Sequence, residues 1–506
     1  MIGEAGRGRR RGAFALAGIS VSVVLMTLVG SWRPPAAVPA LDRPGLLPRL
    51  PWAPSTDLAV TLLLWAAMII GTAGMAAGLA AVRGGWRVPA AGLLLGGGVA
   101  VAVLTIAPPM GSTDPMDYAA YGRMAALGHN PHVLTPGEFR ATGDPVGALA
   151  PREWEDLPSV YGPLATAAQW AAAELGGGSA AWTVLWLKIW NAAAFLSVSV
   201  ALARLAGPDP ARRIRVHLLW TLNPLMLWAL IGGAHVDGPA AALAVAGLCL
   251  LGRAAGRRAS RPGAVLRSGA AGLLLGAAAA VKAPYALAGA GMVWAVRTSR
   301  WAVAALLAGA AAALATAYLL TGPEAIMAVV RRGRMPSWNT PWQLLVPVLG
   351  GPPPGWLLSW GPLAAAFAVA LVLLRGLPSG SGRLRPSLAI CLAWVLTTPV
   401  YYPWYEALVF PLIALAPASR LDWPHLGRAL VATGGCLPGV AFRLGDSWLR
   451  AAVTDGPLSY VVPCALLALA VALVGGAAIR GRTAPAAGPA VPAGPPLLAR
   501  SSLSRH

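Results

Sequence analysis

Apolar blocks of about 20 residues recur along the sequence, separated by short basic segments, and this repetition constrains the fold more than any other feature. A block of that length can cross the hydrocarbon layer of a bilayer as a single helix. Hydrophobic residues make up 57% of the 506 residues and charged residues only 11%. A chain this long cannot bury so much apolar surface in soluble domains of ordinary size, and disordered chains have the opposite composition. The pattern therefore predicts an all-α polytopic membrane protein.

The basic segments predict the orientation of the chain in the membrane. Residues 1–12 contain four arginines and precede the first apolar block, so we predict a cytoplasmic N-terminus. We expect about 12–14 transmembrane helices between residues 13 and 479. In this orientation the basic loops at 204–215 and 375–385 fall on the cytoplasmic side, as the positive-inside rule requires. Residues 480–506 are rich in proline and alanine and are predicted to form a disordered cytoplasmic tail.

The net charge of +21 does not by itself indicate a nucleic-acid partner. The arginines lie in short clusters between apolar blocks, and no aromatic-basic or helix-turn-helix module accompanies them. The four cysteines lie in or beside apolar blocks without metal-ligand spacing, which makes a disulfide framework or a zinc site improbable. The charge and the cysteines thus agree with a plasma-membrane protein that has no nucleic-acid partner.

Acidic residues are concentrated in one predicted extracytoplasmic loop, residues 109–161. Seven of the 18 acidic residues lie there: Asp114, Asp117, Glu138, Asp144, Glu153, Glu155 and Asp156. A hydrated outer loop would account for the last three. It accounts less well for Asp114, because a carboxylate at the end of an apolar block is costly unless it is paired or used. Asp114 and Asp117 are three residues apart and would share one face of a helix, so we predict a site around this pair.

Aromatic and polar residues follow the two aspartates and indicate the class of ligand. Carboxylates accept hydrogen bonds from sugar hydroxyls, and aromatic rings pack on the apolar face of a pyranose. Such groups on an interfacial surface are typical of a sugar site. The candidates in this loop are Tyr118, Tyr121, Arg123, Asn130 and Tyr161.

Two later motifs are predicted to lie on the same side of the membrane. His235 and Asp237 occupy a tight turn between apolar blocks, where they either bond to each other as a structural cap or face a cavity. Trp404 and Tyr405 lie where two prolines interrupt a block, which favours either an interfacial aromatic belt or a wet cavity.

Basic residues on this side suggest an anion. Lys282 either extends to the interface or binds a phosphate. Arg331, Arg332 and Arg334 violate the positive-inside pattern, so either the local topology differs or they bind an anion such as a lipid phosphate.

The order of these motifs resembles a known family. The run Asp114, Tyr118, Gly122-Arg123, Gly128, Asn130-Pro131 resembles the first catalytic loop of the polyprenyl-phosphomannose-dependent α-1,6-mannosyltransferases of actinobacteria, which belong to the GT-C superfamily of membrane glycosyltransferases. Similar landmarks follow in the same order across residues 100–410: Ser159 to Pro163, Asn223-Pro224, Gly233 to Asp237, Val281 to Pro284 and Pro403 to Tyr405.

The resemblance implies a GT-C-like helical bundle with a large extracytoplasmic catalytic loop. It implies an inverting transfer of mannose from polyprenyl-phosphomannose to a lipid-linked mannan or lipoglycan acceptor outside the membrane, in α-1,6 linkage. Asp114 would be the general base, and the tyrosines, His235, Asp237, Trp404 and Tyr405 would surround the substrates. Lys282 is our candidate for the departing lipid phosphate, together with the cluster Arg331, Arg332 and Arg334. We expect no cofactor, although Asp114 and Asp117 would suit a divalent metal.

Departures from the family pattern leave alternatives open. His132 stands where an aromatic residue is expected, Val236 stands where a polar one is expected, and Asp117 is an extra acid that could itself be the base. Another lipid-phosphate sugar, such as arabinofuranose, is therefore an alternative donor. A secondary transporter or lipid flippase is less favoured, because transporters place their polar groups near the bilayer midplane in repeated halves, and this sequence has no clear internal repeat.

Overall fold

The computed structural model describes residues 2–54, 56–254, 261–326, 336–337, 339–439, 448, 451 and 457–483. Every regular element in these ranges is helical. The α-helices are α1 Ile2–Trp32, α2 Asp57–Arg83, α3 Ala90–Ile106, α4 Asp114–Ala126, α5 Pro136–Ala141, α6 Pro163–Gly176, α7 Ala180–Leu205, α8 Pro210–Val216, α9 Pro224–Met226, α10 Asp237–Ala254, α11 Arg261–Val281, α12 Gly289–Val296, α13 Arg300–Thr321, α14 Leu345–Leu349, α15 Gly355–Gly376, α16 Arg385–Thr397, α17 Phe410–Leu415, α18 Asp422–Gly434 and α19 Pro457–Thr483.

Eight helical segments in the described part of the chain are long and apolar enough to cross a membrane. They are Gly6–Trp32, Asp57–Arg83, Ala180–Leu205, Pro210–Gly232, Pro262–Val281, Arg300–Thr321, Gly355–Gly376 and Tyr460–Gly481. Four shorter apolar helices accompany them: Ala90–Ile106, Asp237–Gly252, Ala283–Val296 and Pro403–Leu415. The prediction of an all-α, multi-pass membrane protein is confirmed, and the two groups together reach the lower end of the predicted number of spans.

Two of the shorter apolar segments are broken helices. The first is a 3₁₀ turn, Ala283–Ala288, followed by α12, and the second is a 3₁₀ turn, Pro403–Leu408, followed by α17. A proline near the start of each turn has no N–H to donate, and its ring excludes the preceding helical turn. The predicted tail lies almost wholly outside the described residues.

The segment Pro210–Gly232 crosses the bundle and is buried from Ile214 onward. It is interrupted at Asn223-Pro224, between two wide helical turns at His217–Thr221 and Leu227–Gly232. The Asn223 side chain accepts a hydrogen bond from the backbone N–H of Leu225 and donates one to the carbonyl of Leu219, both at 3.0 Å. These bonds replace part of the lost helical pairing, as an apolar environment demands. The segment ends at the turn that carries His235.

A buried ionic cluster ties α2, α8 and α18 together at one end of the bundle. Arg215 makes two hydrogen bonds to the carboxylate of Asp422, at 2.8 and 3.0 Å, and Arg83 makes a third at 2.9 Å. Arg215 also donates to the carbonyls of Ile413 and Ala416. Arg215 ends the basic loop at 204–215, which the sequence predicts on the cytoplasmic side.

We predict that Asp422→Asn destabilises the protein by about 3–5 kcal/mol, because it leaves Arg215 buried without its counterion. Thermal unfolding of the purified protein in detergent would measure the loss. Asp209→Asn is the matched control: Asp209 is exposed and caps α8, and asparagine caps helices equally well. Equal melting temperatures for the two variants would contradict the assignment.

Candidate active site

Asp114 is the first residue of α4, close after the end of α3. The backbone N–H of Asp114 donates to the Ser112 hydroxyl at 3.0 Å, and Asp114 is only 9% exposed. Asp117 follows in the same helical turn and is also buried. A helix N-terminus carries partial positive charge, which favours carboxylates there. Asp114 and Asp117 therefore lie in one helical turn, as their spacing predicts.

Three side chains surround the Asp114 carboxylate, one from the same helix and two from distant parts of the sequence. The Tyr161 hydroxyl donates to Asp114 Oδ2 at 3.2 Å, and the Tyr118 hydroxyl lies at the same distance from that oxygen. The Tyr118 hydroxyl also lies 3.1 Å from Nδ1 of His235, which is itself 3.5 Å from Asp114 Oδ2. Burial is the main cause that raises the pKa of Tyr118 well above its ordinary value, and the nearby Tyr161 and Asp114 raise it further. Tyr118 thus keeps its proton and remains a donor.

Gly162 brings Tyr161 against the end of α11. Its backbone N–H donates to the carbonyl of Val281 at 3.1 Å, and a Cβ at this position would lie 2.1 Å from the carbonyl oxygen of Ala280. Only glycine allows this approach of two backbones. The contact places Tyr161 beside the segment that carries Lys282.

His235 is held by the backbone before it and by an aromatic ring against it. Ala234 has a positive φ of 51°, an uncommon conformation for a residue with a side chain. The Asn191 amide donates to the carbonyl of Ala234 at 3.1 Å and so secures this turn. The His235 ring stacks on Trp404 with 3.5 Å between ring centroids. The imidazole is therefore fixed in both position and orientation.

Lys282 and Asp237 form an ion pair next to this cluster, with 2.7 Å between Nζ and Oδ2. The ammonium also lies 4.0 Å from the centre of the Tyr405 ring, in the geometry of a cation–π contact. The Tyr285 hydroxyl donates to the carbonyl of Asp237 at 3.0 Å. The sequence offered two alternatives for Asp237, a bond to His235 or a position facing a cavity; its ion pair with Lys282 is a third arrangement that neither alternative included.

A narrow cavity of about 20 Å³ is lined by both Asp114 and Asp117. Its other lining residues are Tyr121, Trp154, Leu157, Pro158, Val160 and Tyr161. Two carboxylates, two tyrosines and an indole thus border one space. This is the combination of acceptor oxygens and aromatic faces that a sugar requires.

Two of the residues predicted to contact the sugar, Arg123 and Asn130, lie outside the group of side chains around Asp114. Arg123 makes a salt bridge to Asp144 at 3.0 Å, because that carboxylate is the counterion the folded loop brings next to it. Asn130 is exposed, and its side chain accepts from the backbone N–H of His132, which caps the turn. Both therefore shape the loop. Arg331, Arg332 and Arg334 lie outside the described residues.

His132, which departs from the family pattern, has a structural position. Its Nδ1 lies 3.0 Å from the carbonyl of Ser159, and its Nε2 lies 3.3 Å from the Thr166 hydroxyl. Burial lowers the pKa of His132, so the ring is neutral at pH 7. It links the loop to α6 directly behind Tyr161. In the described part of the chain, no group of three or more His, Cys, Asp or Glu side chains is arranged to hold a metal ion.

Sequence reasoning missed a second buried ionic network, centred on Glu406. Its carboxylate accepts from the Tyr401 hydroxyl at 2.7 Å, contacts Arg428, and lies 3.2 Å from Nε2 of His425. The network anchors the turn that carries Trp404 and Tyr405. Arg428 lies inside a predicted span, and a charge in an apolar span is a signal that could have revealed it.

We predict that Glu406→Gln destabilises the protein by about 3–5 kcal/mol, because Arg428 then remains buried without an opposite charge. Thermal unfolding in detergent tests this. Glu174→Gln, at an exposed position on α6, removes the same charge and should leave the melting temperature unchanged. A similar melting temperature for both variants would show that the network is not stabilising.

Similarity to solved structures is weak. The crystal structure of ArnT from Cupriavidus metallidurans bound to undecaprenyl phosphate aligns at 17% identity with a TM-score of 0.35, over 69% of this chain and 72% of that one. The apo form of the same protein aligns at 17% identity with a TM-score of 0.36.

Sequence comparison gives a clearer result. A probable alpha-(1->6)-mannopyranosyltransferase of Mycolicibacterium smegmatis is 33% identical over 153 residues, 28% of this chain and 26% of the relative. The alpha-(1->6)-mannopyranosyltransferase B of Corynebacterium glutamicum is 29% identical over 143 residues, 27% of this chain and 23% of the relative. These alignments span about a quarter of the relatives' length. The family model described as "Alpha-(1->6)-mannopyranosyltransferase, N-terminal domain" matches residues 15–298, more than half of the chain. The chain therefore belongs to the alpha-(1->6)-mannopyranosyltransferase family.

Proposed function

We propose that this protein is an integral membrane glycosyltransferase. In this proposal it moves mannose from polyprenyl-phosphomannose to a lipid-linked mannan or lipoglycan acceptor in α-1,6 linkage, on the extracytoplasmic face. The observation that carries the proposal is a buried carboxylate, Asp114, held by tyrosine hydroxyls beside the Lys282–Asp237 ion pair in a multi-pass helical bundle. Family membership and the names of the relatives support the choice of sugar and linkage.

Asp114 acts as the general base in this mechanism. The acceptor hydroxyl gives its proton to the carboxylate while its oxygen attacks C1 of the donor mannose. Hydrogen bonds from Tyr161 and Tyr118 occupy Oδ2 and orient the group. Asp117 is buried in the wall of the adjacent cavity and is the second candidate for the same role.

Departure of the lipid phosphate is the other half of the reaction. The bond between C1 and the phosphate oxygen breaks, and the phosphate keeps the electron pair. A β-linked donor and an α-linked product together require a single inverting displacement. We propose that the Lys282 ammonium, a compact positive charge paired with Asp237, stabilises the charge of the departing phosphate. Arg331, Arg332 and Arg334 are proposed to add to this charge stabilisation.

The aromatic residues are proposed to bind the sugars. Tyr121 lines the cavity at Asp117, while Trp404 and Tyr405 form the wall beside His235 and Lys282. Pyranose rings pack their apolar face on such surfaces. In this arrangement Arg123 and Asn130 act indirectly, by fixing the loop that carries α4.

We expect Asp114→Asn to lower mannosyl transfer by about 10²–10⁴-fold, because the amide cannot accept the proton. The assay uses membranes, radiolabelled polyprenyl-phosphomannose and a short α-mannoside acceptor. Asp117→Asn is the matched control and should largely retain transfer; thermal unfolding of both variants confirms that they are folded.

The opposite pattern would move the base to Asp117. Absence of transfer by the wild type would contradict the mannosyl donor, and the same assay with other lipid-phosphate sugars, including arabinofuranose, would then identify the sugar.

We expect the site to face away from the cytoplasm. Arg152 lies exposed in the acidic loop, and Arg213 lies exposed on α8 at the predicted cytoplasmic side. A membrane-impermeant maleimide added to intact cells should label Arg152→Cys and leave Arg213→Cys unlabelled, with the wild type as background for the four native cysteines. Labelling of Arg213→Cys alone would reverse the orientation and remove the extracytoplasmic acceptor.

A further inference from the structure

A cavity of about 290 Å³ lies beside the candidate active site, between the end of α3 and the start of α7. Its lining includes Pro108 and Pro109, which precede Asp114 by only a few residues. The walls are largely apolar, and several of the apolar side chains at its edge are exposed, namely Leu46, Ile106 and Trp182. The cavity is therefore built to receive apolar chains next to the proposed reaction site.

Lys188 is among the residues that line this cavity, and it is only 1% exposed. Its ammonium donates to the carbonyls of Ala107, at 2.6 Å, and Pro108, at 3.3 Å, where the negative end of the α3 dipole lies. Among the described residues, no carboxylate comes within salt-bridge distance of this ammonium. A buried cation without an anionic partner is costly, and its cost falls when an anion binds.

A second cation stands at the mouth of the same cavity. The Arg43 side chain is 63% exposed and has a long 3.9 Å contact with Asp42. The Asp42 carboxylate accepts from the backbone N–H of Ala181, which fixes this loop against the start of α7. No acidic residue belongs to the described lining of the cavity. The site thus combines two positive charges with apolar walls.

We propose that this cavity binds the phosphate headgroup of a membrane lipid, with Lys188 and Arg43 as its cationic contacts. Arginine and lysine are the usual partners of phosphate, and the exposed apolar edge continues into the membrane, where the lipid chains lie. The site is separate from the one proposed at Lys282, which has its own counterion in Asp237.

The lipid is the anchor of the glycan acceptor, an assignment that rests on the proposed function. A transferase that joins two lipid-linked sugars has to hold two lipid headgroups at once. The Pro108-Pro109 segment borders the cavity and leads into α4, so a headgroup here lies next to the base while the donor phosphate lies at Lys282.

Photo-cross-linking tests the site without any sugar transfer. The full chain is placed in phosphatidylcholine nanodiscs with a diazirine-bearing phosphatidic acid, and labelled segments are mapped by mass spectrometry. We expect labelling of residues 41–46 and 180–188 that exceeds labelling by the matching neutral diacylglycerol at least about tenfold. Lys188→Met and Arg43→Gln should each reduce it several-fold.

Arg43→Gln separates binding from structure, because Arg43 is exposed at the mouth and takes no part in the bonds from Lys188 to α3. Arg49→Gln, at an exposed position of the same loop, is the control and should keep full labelling. Unchanged labelling in Arg43→Gln, or equal labelling by the neutral lipid, would overturn the proposal. Displacement by an equal concentration of inorganic phosphate would assign the cavity to a free anion and overturn the lipid assignment.

Because no donor sugar is present, this result does not depend on mannosyl transfer. Loss of transfer with intact labelling would count against the proposed function alone, and intact transfer with no labelling would count against the lipid site alone.

Discussion

The ion pair between Lys282 and Asp237 is the interaction on which the arrangement of the site depends. It joins the end of α11 to the start of α10, and the adjoining contact of Gly162 with the α11 backbone adds the segment that carries Tyr161. A charge in an apolar bundle is stable only with a partner, so neither segment can move away without exposing an uncompensated group. The pair therefore stabilises the arrangement of the segments around Asp114. Asp114 itself lies on a different element, α4.

The same constraint recurs elsewhere in the bundle. Asp422 is shared by Arg83 and Arg215, and Glu406 is shared by Tyr401, His425 and Arg428. Each network ties together segments that are far apart in the sequence. Lys188 differs, since its described partners are backbone carbonyls. That difference distinguishes Lys188 from Arg83, Arg215 and Arg428, which already have carboxylate partners.

Interrupted helices supply the geometry that continuous helices cannot. The breaks at Asn223-Pro224, Pro284 and Pro403 each place a short irregular segment inside the bundle. Lys282 and Trp404 lie at two of these breaks, and His235, in the turn that follows Leu227–Gly232, stacks on Trp404. Proline makes each break possible because it has no N–H to leave unsatisfied in an apolar environment. The irregular segments thus supply several residues of the candidate site, while Asp114 and Asp117 come from the regular helix α4.

The sequence by itself determined the helical class, most of the spans and the position of Asp114 and Asp117 on one helix. Those features follow from local properties: block length, proline positions, and the cost of a carboxylate at the end of an apolar block. The placement of Asp114 and Asp117 on one face was also predictable, because residues three positions apart on a helix share a face. Which partner each charge has was decided only by the tertiary structure. Asp237 pairs with Lys282 across 45 residues of sequence, and Arg428 pairs with Glu406 across 22. Arg123 lies outside the candidate site, where it forms a salt bridge with Asp144. Such pairings depend on how the helices pack against one another, and neither hydropathy nor spacing along the chain records that packing.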